Sequence, residues 1–268
     1  MRLREETEFK PKPLLPIGGM PMVWHIMKTY AHYGHREFIL CLGYKGEMIK
    51  DYFLKFDDTV NDFTVKLGEG PKEIVHHNKK QLAENWQVTL ASTGLNADTG
   101  ARLARIKDFI GNDKEFFLTY GDGVADINID ELLKYHHEKG KIATLSGVNY
   151  NSPFGIIEPQ EGLVKSFQEK PISQKTFING GFFVFNKKIF DYVTTDDNCK
   201  LEKEPLEKLS AQGELAIYEH HGFWHCMDTV KHFEDLNAMH HQKNTPWMVW
   251  ESHTFENHNQ KVQDLFPA

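Results

Sequence analysis

Cysteine is scarce in this chain of 268 residues, and the three present, Cys41, Cys199 and Cys226, are widely spaced with no Cys-x-x-Cys pair. Such a set argues against a disulfide framework and reads as ordinary thiols of a reducing compartment. Long apolar runs are lacking too. The longest, Phe38 to Leu42, falls far short of the ~20 residues that cross a bilayer. Charges follow Met1 where a secretory leader would be apolar, so the expectation is a soluble, cytoplasmic protein without a membrane span. Nor is there a basic excess. A formal net charge of -7 argues against a polyanion-binding surface, which leaves small molecules, not nucleic acid, as partners.

What the chain has is enough apolar material for a large core, 40% hydrophobic and 12% aromatic, which suits one sizeable domain. Its 15 histidines invite a metal reading, but most stand in adjacent pairs such as His76-His77, His136-His137, His220-His221 and His240-His241. Neighbours on a helix or strand point to different faces, so these pairs make poor chelates.

Helical and strand-like segments alternate along most of the length. A helix is expected from Met20-Pro21, where proline suits the first turn, to about Tyr33, with Gly34 ending it. There follow a strand at Glu37 to Leu42, a helix at Glu47 to Phe56, a less regular polar stretch through Asn85, and a strand at Trp86 to Ala91. A helix at Ala101 to Ile110 precedes an apolar strand, Glu115 to Thr119, and a helix from Ile129 to His137. This alternation predicts an α/β fold with a doubly wound, mainly parallel, Rossmann-like sheet. Beyond Ile142 to Val148 come shorter strand candidates, Gly155 to Glu158, Val164 to Glu169 and Gly181 to Phe185, which suggest a small mixed β region. A helix at Glu204 to Ser210, a strand at Leu215 to Glu219 and a helix from Thr229 to His241 close the fold. Residues 252–268 read as a loosely attached tail.

Four constellations can carry chemistry. In Lys10-Pro11-Lys12-Pro13 the prolines stiffen the backbone, so the ammonium groups either face a phosphate or form a solvated basic loop. Tyr120-Gly121-Asp122-Gly123 ends an apolar strand, where open α/β sheets bind ligands; Asp122 is either a Mg²⁺ ligand or the cap of a glycine turn. Glu169-Lys170-Pro171 and Asn179-Gly180-Gly181 offer groups for sugar hydroxyls and a sugar phosphate, or else an exposed ion pair and a turn. Met227-Asp228-Thr229 supplies a second carboxylate, Asp228, which could equally cap the last helix.

Taken in this order, the motifs resemble those of the sugar-1-phosphate nucleotidyltransferases, which open with a strand, a Gly-Gly-x-Gly-Thr-Arg loop and a Lys-Pro-Lys-Pro segment. Within that superfamily the chain is most similar to the glucose-1-phosphate cytidylyltransferases. The similarity is carried by Trp24-His25-Ile26-Met27, Trp86 to Leu90 before Thr93-Gly94, Thr119 to Gly123, Asn179 to Phe183, Glu204-Pro205-Leu206-Glu207, Gly222 to Trp224 and Pro246 to Trp250.

The resemblance implies a fold of the nucleotide-diphospho-sugar transferase type and cytidylyl transfer from CTP to glucose 1-phosphate, yielding CDP-glucose and pyrophosphate. It implies Mg²⁺ on Asp122 and Asp228, phosphates on Lys12 and Arg2, and nucleotide near Ser92, Thr93, Gly94 and Gly121. Glucose 1-phosphate would meet Glu169, Lys170, Asn179 and Gly180. A homo-oligomer is expected, with the segment from Asp57 to Asn85 as an interface arm. Arg2 follows Met1 directly where that family has Thr-Arg, so the expected domain, residues 1–251, opens without its first strand and loop. Two other outcomes stay open: a sugar-nucleotide-binding or regulatory protein without catalysis, and a relative that uses UTP or dTTP.

Overall fold

Prolines steer the chain into its first helix. In the computed structural model, Lys12–Leu14 forms a single 3₁₀ turn, and β1 (Pro16–Ile17) pairs antiparallel with β2 (Met20–Pro21). Gly18 and Gly19 make the turn between them at φ of +58° and +90°, a region where side chains are disfavoured. Pro21 then occupies the cap of α1 (Met22–His32), one residue later than the sequence pattern suggests, because its fixed extended backbone precedes the helix instead of joining it.

The structure describes residues 10–68, 70–77, 82, 85–151, 156–160, 163–168 and 172–251, with side chains outside 150–176. After α1 come β3 (Glu37–Leu42), α2 (Gly46–Leu54), α3 (Phe56–Val60), a hairpin of β4 (Asp62–Lys66) and β5 (Glu73–His77), β6 (Gln87–Ser92) and α4 (Thr99–Arg105). The middle of the chain holds β7 (Glu115–Thr119), β8 (Gly123–Ala125), α5 (Ile129–Lys139), β9 (Ala143–Asn151), β10 (Ile156–Gln160), β11 (Leu163–Gln168) and β12 (Ile172–Asn186). It closes with α6 (Glu204–Ala211), β13 (Leu215–His220), β14 (Trp224–Cys226) and α7 (Val230–His241). Among the described residues no helix is long and apolar enough to cross a membrane.

Strands β3 and β6 pair in parallel, while the largest sheet has the order β13-β9-β12-β7, with β13 parallel to β9 and the other pairs antiparallel. Burial on both faces of this sheet explains its apolar strands. Phe182 and Val184 of β12 join a cluster with α1, α5 and α7, whereas Phe183 and Phe185 join one with α4 and α6. Successive side chains of a strand point to opposite faces, so each of these four residues fills a core. A third cluster packs α1 and α2 beside β3 and β6 through Val23, Met27, Leu42 and Ile49.

Four local expectations shift, the first being the helix at Ala101 to Ile110, which is α4 ending at Arg105 and then a 3₁₀ turn, Lys107–Ile110. The single helix expected at Glu47 to Phe56 is two, α2 and α3, parted at Lys55. The polar stretch through Asn85 contains the β4–β5 hairpin. Gly181 to Phe185 is the end of the 15-residue β12, whose ladder with β9 shifts register between Asn179 and Phe183. The paired histidines diverge as their alternating directions require: His136 Nδ1 meets Thr144 and His137 Nε2 meets Glu115.

Candidate active site

Strand β7 delivers the Tyr120-Gly121-Asp122 turn, and the loop after β14 delivers Asp228. The two are tied by the Met227 N–H, which donates to the Asp122 carbonyl at 2.7 Å. Glycine at position 121 lets the proline segment approach, since a Cβ there would lie 3.3 Å from Pro13 Cγ. That approach places Lys12 Nζ between two carboxylates, 3.2 Å from Asp122 Oδ2 and 2.6 Å from Asp228 Oδ1. Burial works against the Lys12 charge, but the hydrogen bond to Asp228 and the charge of Asp122 outweigh it and hold the ammonium's pKa above its ordinary value. The same hydrogen bond is the main reason that the Asp228 carboxyl lies below the usual carboxylate range.

Asp228 does not cap the last helix, the alternative its position had left open. Thr229 holds the cap, its hydroxyl accepting from the His232 N–H at 3.1 Å, and this leaves the Asp228 carboxylate for Lys12. Cys226 Sγ donates to the other Asp228 oxygen at 3.4 Å, and burial followed by the Asp228 charge pushes its thiol up to about 12.

These groups border a cavity of about 230 Å³ whose lining includes Asp122, Asn179, Gly181, Trp224, Cys226 and Asp228. Gly180 lines it too, but its lack of a Cβ serves the sheet: an added carbon would come within 2.7 Å of Ser146 Oγ and Val148 Cγ1 on β9. Its carbonyl accepts from Trp224 Nε1 at 2.8 Å, which fixes the indole across the cavity.

Ser92, Thr93 and Gly94 leave the end of β6 as a separate loop. Thr93 is 2% exposed, its hydroxyl donating to the Leu42 carbonyl while Arg102 donates to it at 3.0 Å. Arg105 donates to the Thr93 carbonyl at 2.6 Å, and Lys50 to Ser92 Oγ at 2.9 Å. Thr93 is thus committed to holding the loop, and cations surround that loop. Arg102 and Arg105 were missed by sequence reasoning because a helical arginine usually means a solvated face; their spacing of three on α4, directly after Thr93-Gly94, was the available signal.

The structure therefore brings Asp122, Asp228, Asn179 and Gly180 around one cavity, with Lys12 bonded to its two carboxylates and Gly121 beside Asp122 in the turn, while Ser92 to Gly94 stand on a separate loop. Arg2, Glu169 and Lys170 lie outside the described residues. Among the described residues no group of three or more His, Cys, Asp or Glu side chains could hold a metal ion; at this site Asp122 and Asp228 bring two carboxylates to Lys12.

A sheet layered with helices that gathers a lysine and two carboxylates at a strand end is the framework of a nucleotidyl transferase, and residues 1–243 match the family model described as nucleotidyl transferase. Among relatives, a probable glucose-1-phosphate cytidylyltransferase of Bacillus subtilis (strain 168) is 45% identical over 249 residues, covering 93% of this chain and 95% of that protein. The glucose-1-phosphate cytidylyltransferase of Salmonella typhi is 44% identical over 250 residues, with the same coverage. The chain belongs to the glucose-1-phosphate cytidylyltransferase family of nucleotidyl transferases. Among solved structures, HddC from Yersinia pseudotuberculosis shares the fold at a TM-score of 0.59 and 19% identity, covering 85% of this chain and 89% of that one.

Proposed function

We propose that the chain transfers the cytidylyl group of CTP to glucose 1-phosphate, releasing pyrophosphate and forming CDP-glucose. The observation that carries this reading is the convergence of Lys12, Asp122 and Asp228 beside the cavity lined by Asn179 and Trp224. A phosphate oxygen of the sugar attacks the α-phosphorus of CTP, and the bond from that phosphorus to the bridging oxygen breaks, so pyrophosphate leaves with the electron pair. Two polyanions repel one another, and the protein's task is to supply charge and alignment, not a nucleophile.

Each residue has a part in that task. Lys12 keeps its proton and reaches the triphosphate, aided by Arg2. Asn179 and Glu169 hold sugar hydroxyls, and Lys170 neutralises the sugar phosphate. Ser92, Gly94 and Gly121 border the nucleotide, with Thr93 holding the loop of the first two and Arg102 presenting a guanidinium to it. Asp122 and Asp228 suit Mg²⁺, which takes a few carboxylate oxygens and lets water and phosphates complete its shell; the two carboxylates face one cation position, held in this structure by the Lys12 ammonium. Bound there, the ion would neutralise charge on the phosphates. We take residues 1–251 as the catalytic domain, 252–268 as a tail, and the hairpin arm as a contact between copies of the chain.

Pyrophosphate release from CTP and glucose 1-phosphate, measured with and without Mg²⁺, tests the reading. The intact chain should turn over and prefer CTP to UTP and dTTP. Asp122→Ala should lower the rate by at least about 10²-fold, as loss of a charge-stabilising group does, with an unchanged melting temperature. Absence of turnover with all three nucleotides would overturn it.

A further inference from the structure

Asn179, Tyr120 and Glu202 form a hydrogen-bonded chain in which every donor and acceptor has one assignment. Glu202 offers carboxylate oxygens that accept, so the Tyr120 hydroxyl donates to Oε1. Burial, and then the neighbouring Glu202, push the phenol's pKa up, so it keeps the proton it donates. Having given its hydrogen away, the Tyr120 oxygen accepts from Asn179 Nδ2 at 3.1 Å. From the other side, the Gly181 N–H donates to Asn179 Oδ1 at 2.9 Å. The amide is fixed from both ends, and turning it over would break both bonds.

One Nδ2 hydrogen is left for the cavity that Asn179 lines. Asn179 therefore presents a donor there, matched to an oxygen of a hydroxyl or a phosphate. Gly181 is part of the arrangement: it adopts φ +80°, and a Cβ on it would stand 2.6 Å from the Tyr120 ring.

Glu202 also reaches the opposite side. Its Oε2 accepts from Thr99 Oγ1 at 2.6 Å, and Thr99 opens α4, the helix whose Arg102 and Arg105 hold Thr93. One carboxylate thus touches both the group that orients Asn179 and the helix that supports the nucleotide loop.

We infer that Tyr120 and Glu202 are positioning residues for the sugar-phosphate side of the cavity, acting through Asn179; this rests on the reading of Asn179 as a sugar-binding residue. Kinetics of the full chain varying each substrate, for Tyr120→Phe, Glu202→Ala, their double variant and Asn179→Ala, test it. The first two should each raise KM for glucose 1-phosphate about five- to tenfold, and Tyr120→Phe, which leaves the Glu202–Thr99 bond in place, should move KM for CTP less than about twofold. The double variant should be no worse than the stronger single one, because the groups work as one chain. If Asn179→Ala leaves KM for glucose 1-phosphate unchanged, the underlying reading fails. If Asn179→Ala raises it while Tyr120→Phe and Glu202→Ala do not, only the positioning role fails. Hydrogen exchange of the Gly181 amide gives a readout that needs no ligand: it should quicken about three- to tenfold in Tyr120→Phe as in Asn179→Ala. Unchanged exchange in Tyr120→Phe would overturn the positioning role whatever the activity.

Discussion

Each ring nitrogen of His25 has a partner that fixes the imidazole as neutral. Nε2 lies 2.9 Å from the Ile17 carbonyl and so carries the hydrogen, while Nδ1 accepts from Trp247 Nε1 at 3.3 Å. The residue is 1% exposed, and burial brings its pKa down to about 4. In the unfolded chain the imidazole titrates near 6.5, so between these values the unfolded state binds a proton that the folded state refuses. The corresponding stability is complete above about pH 6.5 and is lost as pH falls towards 4, amounting to about 3 kcal/mol at roughly 1.36 kcal/mol per unit. Urea unfolding at pH 7 and pH 4.5 should show the loss, and His25→Gln should show a smaller one. Equal losses in the two proteins would remove His25 as the cause.

At the level of elements, the division of labour between Asp228 and Thr229 decides how α7 begins. The Thr229 hydroxyl satisfies the His232 N–H, so Thr229→Ala should cost about 1 kcal/mol of stability and leave the Asp228–Lys12 pair intact. Asp228→Ala should remove activity with little loss of stability, because an exposed ion pair contributes little. Chemical denaturation of both variants alongside a pyrophosphate assay separates cap from site; a reversed pattern would return the cap to Asp228. The same region shows what was legible beforehand. Glycines clustered with a carboxylate or an amide within a few residues, as in Tyr120 to Gly123 and Asn179 to Gly181, declare a site because turn chemistry is local. The chain from Asn179 to Glu202 was not legible, since Tyr120 lies 82 residues from Glu202, and Thr99 lies 103. Strands β3 and β7 were readable as short apolar runs and β6 by its alternation, whereas β4 and β5 were not. Each is five residues long with only two apolar side chains among polar ones, and what makes them strands is their pairing with each other.

For the whole molecule the outstanding feature is the arm made by α3 and the β4–β5 hairpin. A two-stranded hairpin is marginal in water without a surface to pack on. His76 ties the hairpin to Asp58 of α3 at 2.7 Å, and towards Asn85 the Leu82 carbonyl accepts from Trp24 Nε1 of α1 at 3.0 Å. Large apolar side chains stand out along the arm and at its root: Leu67 is 81% exposed, Phe63 43% and Val75 40%, and Leu54, the last residue of α2, is 80% exposed. Scattered single exposures are ordinary, but several on one lightly packed segment mark a surface that gains by being covered. With the arm as the contact between copies, sedimentation of the intact chain should give a mass above the 31.1 kDa of one copy. Replacing Leu54 and Leu67 together by glutamate should bring the mass down to that of one copy. It should leave the Lys12–Asp122–Asp228 cluster untouched, since neither leucine lines the cavity beside it. A monomeric intact chain, or an assembly indifferent to both charges, would rule the arm out as the interface.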